Sequence, residues 1–228
     1  MTLHLHSDAR EFAALAGTHL LEHEAENNLM LGILSRLLTL WPQRGFPGAP
    51  AAVLATIADA GMVIGAAVMT PPHRLLLSVM PEAAASELAS ELLHAGIRMS
   101  GVNGPVAPVA AFAACCQQHL RTPVHAGRRL HIHRLRQVRE PRAVQGSLRA
   151  ATALDQVTLQ AWWEQFASET ASPGGEPLAG AIAEGRVWLW TLGSGQAVST
   201  VSWTGRTAHG VRLVQVYTPE RFRHQGYA

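Results

Sequence analysis

Apolar and polar positions along this chain fall into a run of periodic signatures that starts afresh near residue 145. TLHLH (2–6) alternates and predicts a short strand. Residues 8–20 and 24–40 carry helical periodicity, with Leu29, Ile33, Leu37 and Leu40 recurring on one face of the second. PQRGFPGAP (42–50), with its three prolines, predicts a loop. AAVLATIAD (51–59) and MVIGAAVMT (62–70) predict two strands around a turn at Ala60-Gly61, and RLLLSVM (74–80) a third. Pro81 opens an expected helix over 81–95 as a first-turn proline. GVNGP (101–105) predicts a turn, PVAAFAACCQQHL (108–120) a helix and RRLHIHRLRQV (128–138) a strand.

EPRAVQGSLR (140–149) reads as a linker, after which the order repeats. LRAATALD (148–155) predicts a strand, and QVTLQAWWEQFASET (156–170) a helix with Asp155 as its N-cap. ASPGGEP (171–177) breaks the chain, and PLAGAIAEG (177–185) predicts a short helix closed by Gly185. RVWLWTL (186–192), QAVSTVSWTG (196–205) and VRLVQVYTP (211–219) predict three strands separated by glycine turns. Each half therefore reads as strand, helices, three strands, a repeat of pattern with little identity of residues. The expected fold class is α+β: mixed, mostly antiparallel sheets flanked by helices, in two domains at 1–140 and 146–228.

Composition changes this picture little. Apolar residues make up 48% and charged residues 15% of the 228, which suits a soluble, well-cored protein. No run approaches the roughly 18 apolar residues of a membrane span, and MTLHLHSDAREF lacks the look of a signal peptide. A cytoplasmic protein with no membrane partner is expected. All 18 basic residues are arginine. A coding bias explains that, so the arginine count does not argue for nucleic acid, and a lysine nucleophile is excluded.

Several residue groups have a structural reading beside a chemical one. His4/His6 and His131/His133 each put two imidazoles on one strand face, without a third ligand at zinc spacing, so no metal is expected. Cys115 and Cys116 are adjacent and form neither a metal spacing nor a disulfide framework. Glu24, Glu26, Asn27 and Asn28 are read as helix caps. Trp188 and Trp190, two apart, share one strand face, expected to be core; of Trp162 and Trp163 at most one points straight inward. Seven arginines between Arg121 and Arg142 have no interleaved aromatics and are read as a solvated strand face or inter-lobe contact, not a nucleic-acid stripe.

The chemistry concentrates after the last strand, in Arg223-His-Gln-Gly-Tyr-Ala228. VRLVQVYTP, then ERF, then RHQGYA resembles the GNAT superfamily of acyl-CoA-dependent N-acyltransferases. There the fourth strand leads into a loop written Q/R-x-x-G-x-G/A; Arg223, Gly226 and Ala228 fill its defined positions. The resemblance covers about 148–228. It implies tandem GNAT-like lobes, with acetyl-CoA as cosubstrate and a small-molecule or peptide amine as acceptor. Amides from His224 through Gln225, Gly226 and Tyr227 to Ala228 would face the pyrophosphate. Arg223 would add charge-assisted bonds, and Gly226 would let the backbone approach without a Cβ. Gln215, Val216 and Tyr217 would pair their backbone with the pantetheine arm.

The first half has no counterpart of this loop, since RLLLSVMPEAAASELA contains no glycine. It is expected to shape the acceptor cleft and not to bind CoA. The family's next helix and later elements, which carry a tyrosine acid in many members, are missing after residue 228. The expectation is an incomplete copy of a longer acyltransferase: clipped, interrupted, or completed by a partner chain or dimer. Weak or no turnover is expected of the chain as it stands. The alternative is a non-catalytic GNAT-like binding or regulatory module, and the general acid and base stay unassigned.

Overall fold

A computed structural model describes residues 1–40, 52–139, 143–171 and 177–228. The expected loop at 42–50, residues 140–142 of the expected linker and most of the break at 171–177 lie outside the described residues. The fold is α+β, with six α-helices and two sheets among the described residues. The chain divides into two compact units, Met1–Arg134 with Thr207–His209, and Leu135–Arg206 with Gly210–Ala228.

Unit 1 is a five-stranded sheet ordered β1-β2-β3-β4-β5: β1 Thr2–His6, β2 Val53–Asp59, β3 Met62–Met69, β4 Leu75–Leu77 and β5 Val102–Asn103. The first four pair antiparallel. The β2–β3 turn places Ala60 and Gly61 at φ 47° and 81°, and two positive φ values in a two-residue turn match the twist of a hairpin. β5 lies parallel to β4, which requires a crossover, and helix α3 (Glu82–His94) provides it.

Helices cover both faces of this sheet. On one, α1 (Ala9–Glu22) and α2 (Asn28–Leu40) pack Phe12, Leu20, Met30, Leu34 and Leu37 against Leu54 and Val68. On the other, α3 and α4 (Val106–Leu120) pack Leu88, Leu92 and Phe112 against Ile57, Leu75 and Leu77. The buried row of α2 is Met30, Leu34 and Leu37; Leu29 is exposed and Ile33 half-buried, a correction to the predicted row. Both rows are apolar, so periodicity alone leaves the rotation open. Asn27 settles it: buried, its amide donates to the Leu20 carbonyl (3.1 Å) and accepts from the Val79 N–H (3.2 Å). Its side chain therefore ties α2 to α1 and to the end of β4, where a helix cap was expected.

Three further expectations are corrected in this half. GVNGP (101–105), expected to be a turn, contains β5, which its pairing with β4 draws into the sheet. Pro81 sits at the N-cap of α3, one residue before its first turn. RRLHIHRLRQV forms no strand: residues 121–139 are all exposed and none pairs in a sheet. The alternation of Leu130 and Ile132 breaks phase at Leu135, so no single face of a strand would be apolar.

Unit 2 is an antiparallel sheet ordered β6-β7-β8-β9, built from β6 Ser147–Ala150, β7 Val187–Thr191, β8 Ala197–Thr204 and β9 Arg212–Tyr217. Helices α5 (Gln156–Thr170) and α6 (Leu178–Ala183) pack Leu159, Trp162, Leu178 and Ala181 against Val187, Leu189 and Tyr217. The core face of β7 is thus Val187, Leu189 and Thr191, and Trp188 and Trp190 are half-buried on the opposite face. That overturns the expected inward placement of the two tryptophans, because the helices of this unit lie on the other side. Trp162 is buried and Trp163 half-buried, as expected of consecutive helical positions.

The strand expected over 148–155 ends at Ala150, and Ala153–Asp155 form a 3-10 turn. Asp155 stands at the N-cap of α5, as expected, but its side chain makes no bond to that helix; it closes a capping box with Thr152, accepting from the Thr152 N–H at 2.8 Å. Both of its oxygens also receive the Arg149 guanidinium, at 2.7 and 2.8 Å. The Arg149 hydrogen bonds hold its carboxyl well below the usual range.

Candidate functional site

The candidate site lies at the end of β9. This strand forms an edge of its sheet, so one side of its backbone is not taken by a neighbouring strand among the described residues. Val214 pairs with Ser202 and Tyr217 with Thr200, leaving Gln215 and Val216 opposite Val201 alone. That two-against-one arrangement is a β-bulge, and Gln215 carries its positive φ of 51°. Side chains of β8 fasten the strand where its ladder is interrupted. Ser202 donates to the Val214 carbonyl (3.3 Å) and to Gln215 Oε1 (3.0 Å), and Ser199 donates to the Tyr217 carbonyl (3.1 Å).

Pro219 then ends pairing and caps a 3-10 turn, Glu220–Phe222. His224 (φ 63°) and Gly226 (φ 80°) both adopt left-handed conformations. A Cβ added at Gly226 would sit 3.1 Å from Val144 Cγ1, so conformation and space both favour glycine. His224, Gln225, Gly226 and Ala228 are exposed, and Tyr227 is half-buried. Gln225 folds back to donate to the Arg221 carbonyl at 3.3 Å.

The structure brings Arg223 and Tyr217 together around Glu169 of α5. Arg223 Nη2 donates to both carboxylate oxygens of Glu169 (2.9 and 2.7 Å), and its Nε donates to the Thr218 carbonyl (2.8 Å). The guanidinium lies 5.6 Å from the centre of the Tyr217 ring. The Tyr217 hydroxyl donates to Gln165 (3.0 Å) and Glu169 (3.1 Å). Burial, reinforced by the bond to Glu169, pushes the Tyr217 hydroxyl up, so it remains a proton-bearing donor at neutral pH. Beside this cluster runs an open cleft of about 670 Å³, lined by Trp162, Gln165, Glu169, Tyr217, Glu220 and Arg221 among others.

Gln215 and Val216 sit at the bulge, while Tyr217 is directed into the core and the cleft rather than along the strand edge. Sequence reasoning missed Glu169 and Gln165. The available signal was spacing: Trp162, Gln165, Phe166 and Glu169 recur on one side of α5, and Glu169 is the charged member nearest the site. Among the described residues no group of His, Cys, Asp or Glu is arranged to hold a metal ion. No helix among them is long and apolar enough to cross a membrane.

Compared with protein-family models, with curated proteins and with solved structures, the chain has no significant match in any of the three.

Proposed function

We propose that the chain is an acyl-CoA-dependent N-acyltransferase of the GNAT type, taking acetyl-CoA as cosubstrate and an amine of a small molecule or peptide as acceptor. The observation that carries this reading is the bulge at Gln215 and Val216 on the free edge of β9, followed directly by the Arg223–Ala228 loop. A bulge frees backbone groups from the ladder, and a free edge can pair with an extended, amide-bearing chain such as pantetheine. The following loop holds His224, Gln225 and Gly226 exposed, with His224 and Gly226 at positive φ, and successive backbone N–H groups of such a loop suit a pyrophosphate. In the reaction the neutral amine attacks the thioester carbonyl. A C–N bond forms, the C–S bond breaks, the amine loses its proton, and the leaving thiolate is protonated. A backbone N–H near Val216 is the proposed oxyanion donor. Acetyl-CoA is a cytoplasmic cosubstrate, and the reading carries that compartment with it.

Titration calorimetry of the full chain with acetyl-CoA tests this. Arg223→Gln and Gly226→Val are each expected to weaken binding at least tenfold. Unchanged affinity in both variants would overturn the loop assignment. One observation favours a second reading, a non-catalytic module of the same fold: Arg223 already donates to both oxygens of Glu169. Absence of acetyl-CoA binding by the parent chain would select it.

A further inference from the structure

Residues 121–139 contain six arginines and three histidines and no acidic residue. Every one of these residues is exposed, and none belongs to a helix or strand. Within the same stretch Leu130, Ile132, Leu135 and Val138 are 64–77% exposed. A row of large aliphatic side chains left in water forgoes the burial that normally places such residues inside. The sequence alone predicts no membrane partner; this joint exposure of charge and aliphatic surface is what changes that reading.

We propose that residues 121–139 bind the surface of an anionic lipid bilayer. The charge selects an anionic partner, since residues 121–139 contain six arginines and neither Asp nor Glu. The aliphatic residues select among anionic partners. A nucleic acid would leave Leu130, Ile132, Leu135 and Val138 without a role, and the stretch has no aromatic ring on which a base could stack. A protein groove demands a fixed register, yet the apolar positions follow neither strand nor helix spacing. A fluid interface needs no register: aliphatic side chains enter the acyl boundary wherever they fall, while arginine heads stay at the phosphates on their long stems.

Co-sedimentation of the full chain with vesicles tests the proposal. Binding to mixed phosphatidylserine–phosphatidylcholine vesicles is expected, weakened by added salt and absent with phosphatidylcholine alone. Replacing Arg129, Arg134 and Arg136 together by glutamine is expected to lower partitioning about a hundredfold, at roughly fivefold per basic residue held at an anionic surface. Leu130→Ser, Ile132→Ser, Leu135→Ser and Val138→Ser combined should lower it at least tenfold. Both variants should keep the far-UV circular dichroism of the parent, because all seven positions are exposed. Equal binding to uncharged vesicles, or full vesicle binding by either variant, overturns the proposal. Oligonucleotide binding that survives the serine substitutions, with no vesicle binding, overturns it in favour of nucleic acid.

Discussion

The two sheets start alike and finish differently. β1 leads through α1 and α2 to β2, β3 and β4; β6 leads through α5 and α6 to β7, β8 and β9. In both, the four strands form an antiparallel sheet in chain order with the helix pair on one face. Past the fourth strand they diverge. β4 runs into α3, whose N-cap is Pro81, without an N–H, and whose first turn carries Glu82. A helix start with one donor removed and a carboxylate added is poorly suited to an anion. β9 instead runs through a bulge and a 3-10 turn into a glycine-bearing loop. The outer faces differ as well. In unit 1 that face is covered by α3 and α4. In unit 2 register places Trp188, Val201, Trp203 and Leu213 on the face away from α5 and α6, and Leu213 is 61% exposed. One repeated plan thus yields a unit with helices on both sheet faces and a unit whose candidate site lies on a strand edge unpaired among the described residues.

The largest test sets the two outer faces against each other. Leu88→Ala, at a fully buried position of α3, is expected to cost about 2–5 kcal/mol in urea denaturation. Leu213→Ala should cost less than about 1 kcal/mol, since little of its side chain is buried. Equal costs would show that the outer face of unit 2 is covered in solution, and the contrast would fail.

Asp155→Asn comes next. Loss of the capping box and the Arg149 pair is expected to lower the stability of unit 2 by about 1–2 kcal/mol at neutral pH. The folded-state pKa of Asp155 is lowered, so its contribution is fully present above the unfolded value of roughly 4. It disappears as pH falls from there through the folded value. The gap between the parent and the Asp155→Asn variant should therefore close on acidification; a gap independent of pH would sever stability from this carboxylate.

Exchanging glycine and alanine at the two divergent turns should cost about 1 kcal/mol in each direction. Gly226→Ala forces a side chain into φ 80° against Val144, and Ala84→Gly loosens the first turn of α3. Only the first is expected to weaken acetyl-CoA binding as well, and an equal effect of both on affinity would remove the distinction between the turns. The smallest effect belongs to Tyr217→Phe. Removing the hydroxyl that donates to Gln165 and Glu169 should cost about 1 kcal/mol or less, read by hydrogen exchange in α5 and β9.

Much of this architecture was legible because its signals are local. The Ala60-Gly61 hairpin, the span of α5 and the three closing strands follow from turn residues and periodicity within a few positions. At 223–228 the structure shows a non-helical turn with Gly226 at φ 80°. What failed depended on a choice between near-equal alternatives. Two apolar rows of α2 were equivalent until Asn27 bonded to Leu20 and Val79. Either face of β7 read as core, with Val187 and Leu189 on one and two tryptophans on the other, until α5 and α6 occupied one side.

By itself the sequence determined most of the helices and strands and their order, but not that 128–138 forms no strand or that β5 lies in the expected turn at 101–105. The elements it determined are decided by backbone conformation and side-chain spacing over a few residues. Only the tertiary structure decided that β9 is an edge with a bulge, that Glu169 of α5 meets Tyr217 and Arg223, and that residues 121–139 stay in water. Those outcomes depend on which surfaces meet. Pairing partners lie far apart in the chain, and the free energy of burial is set by the contact made and not by the residue alone.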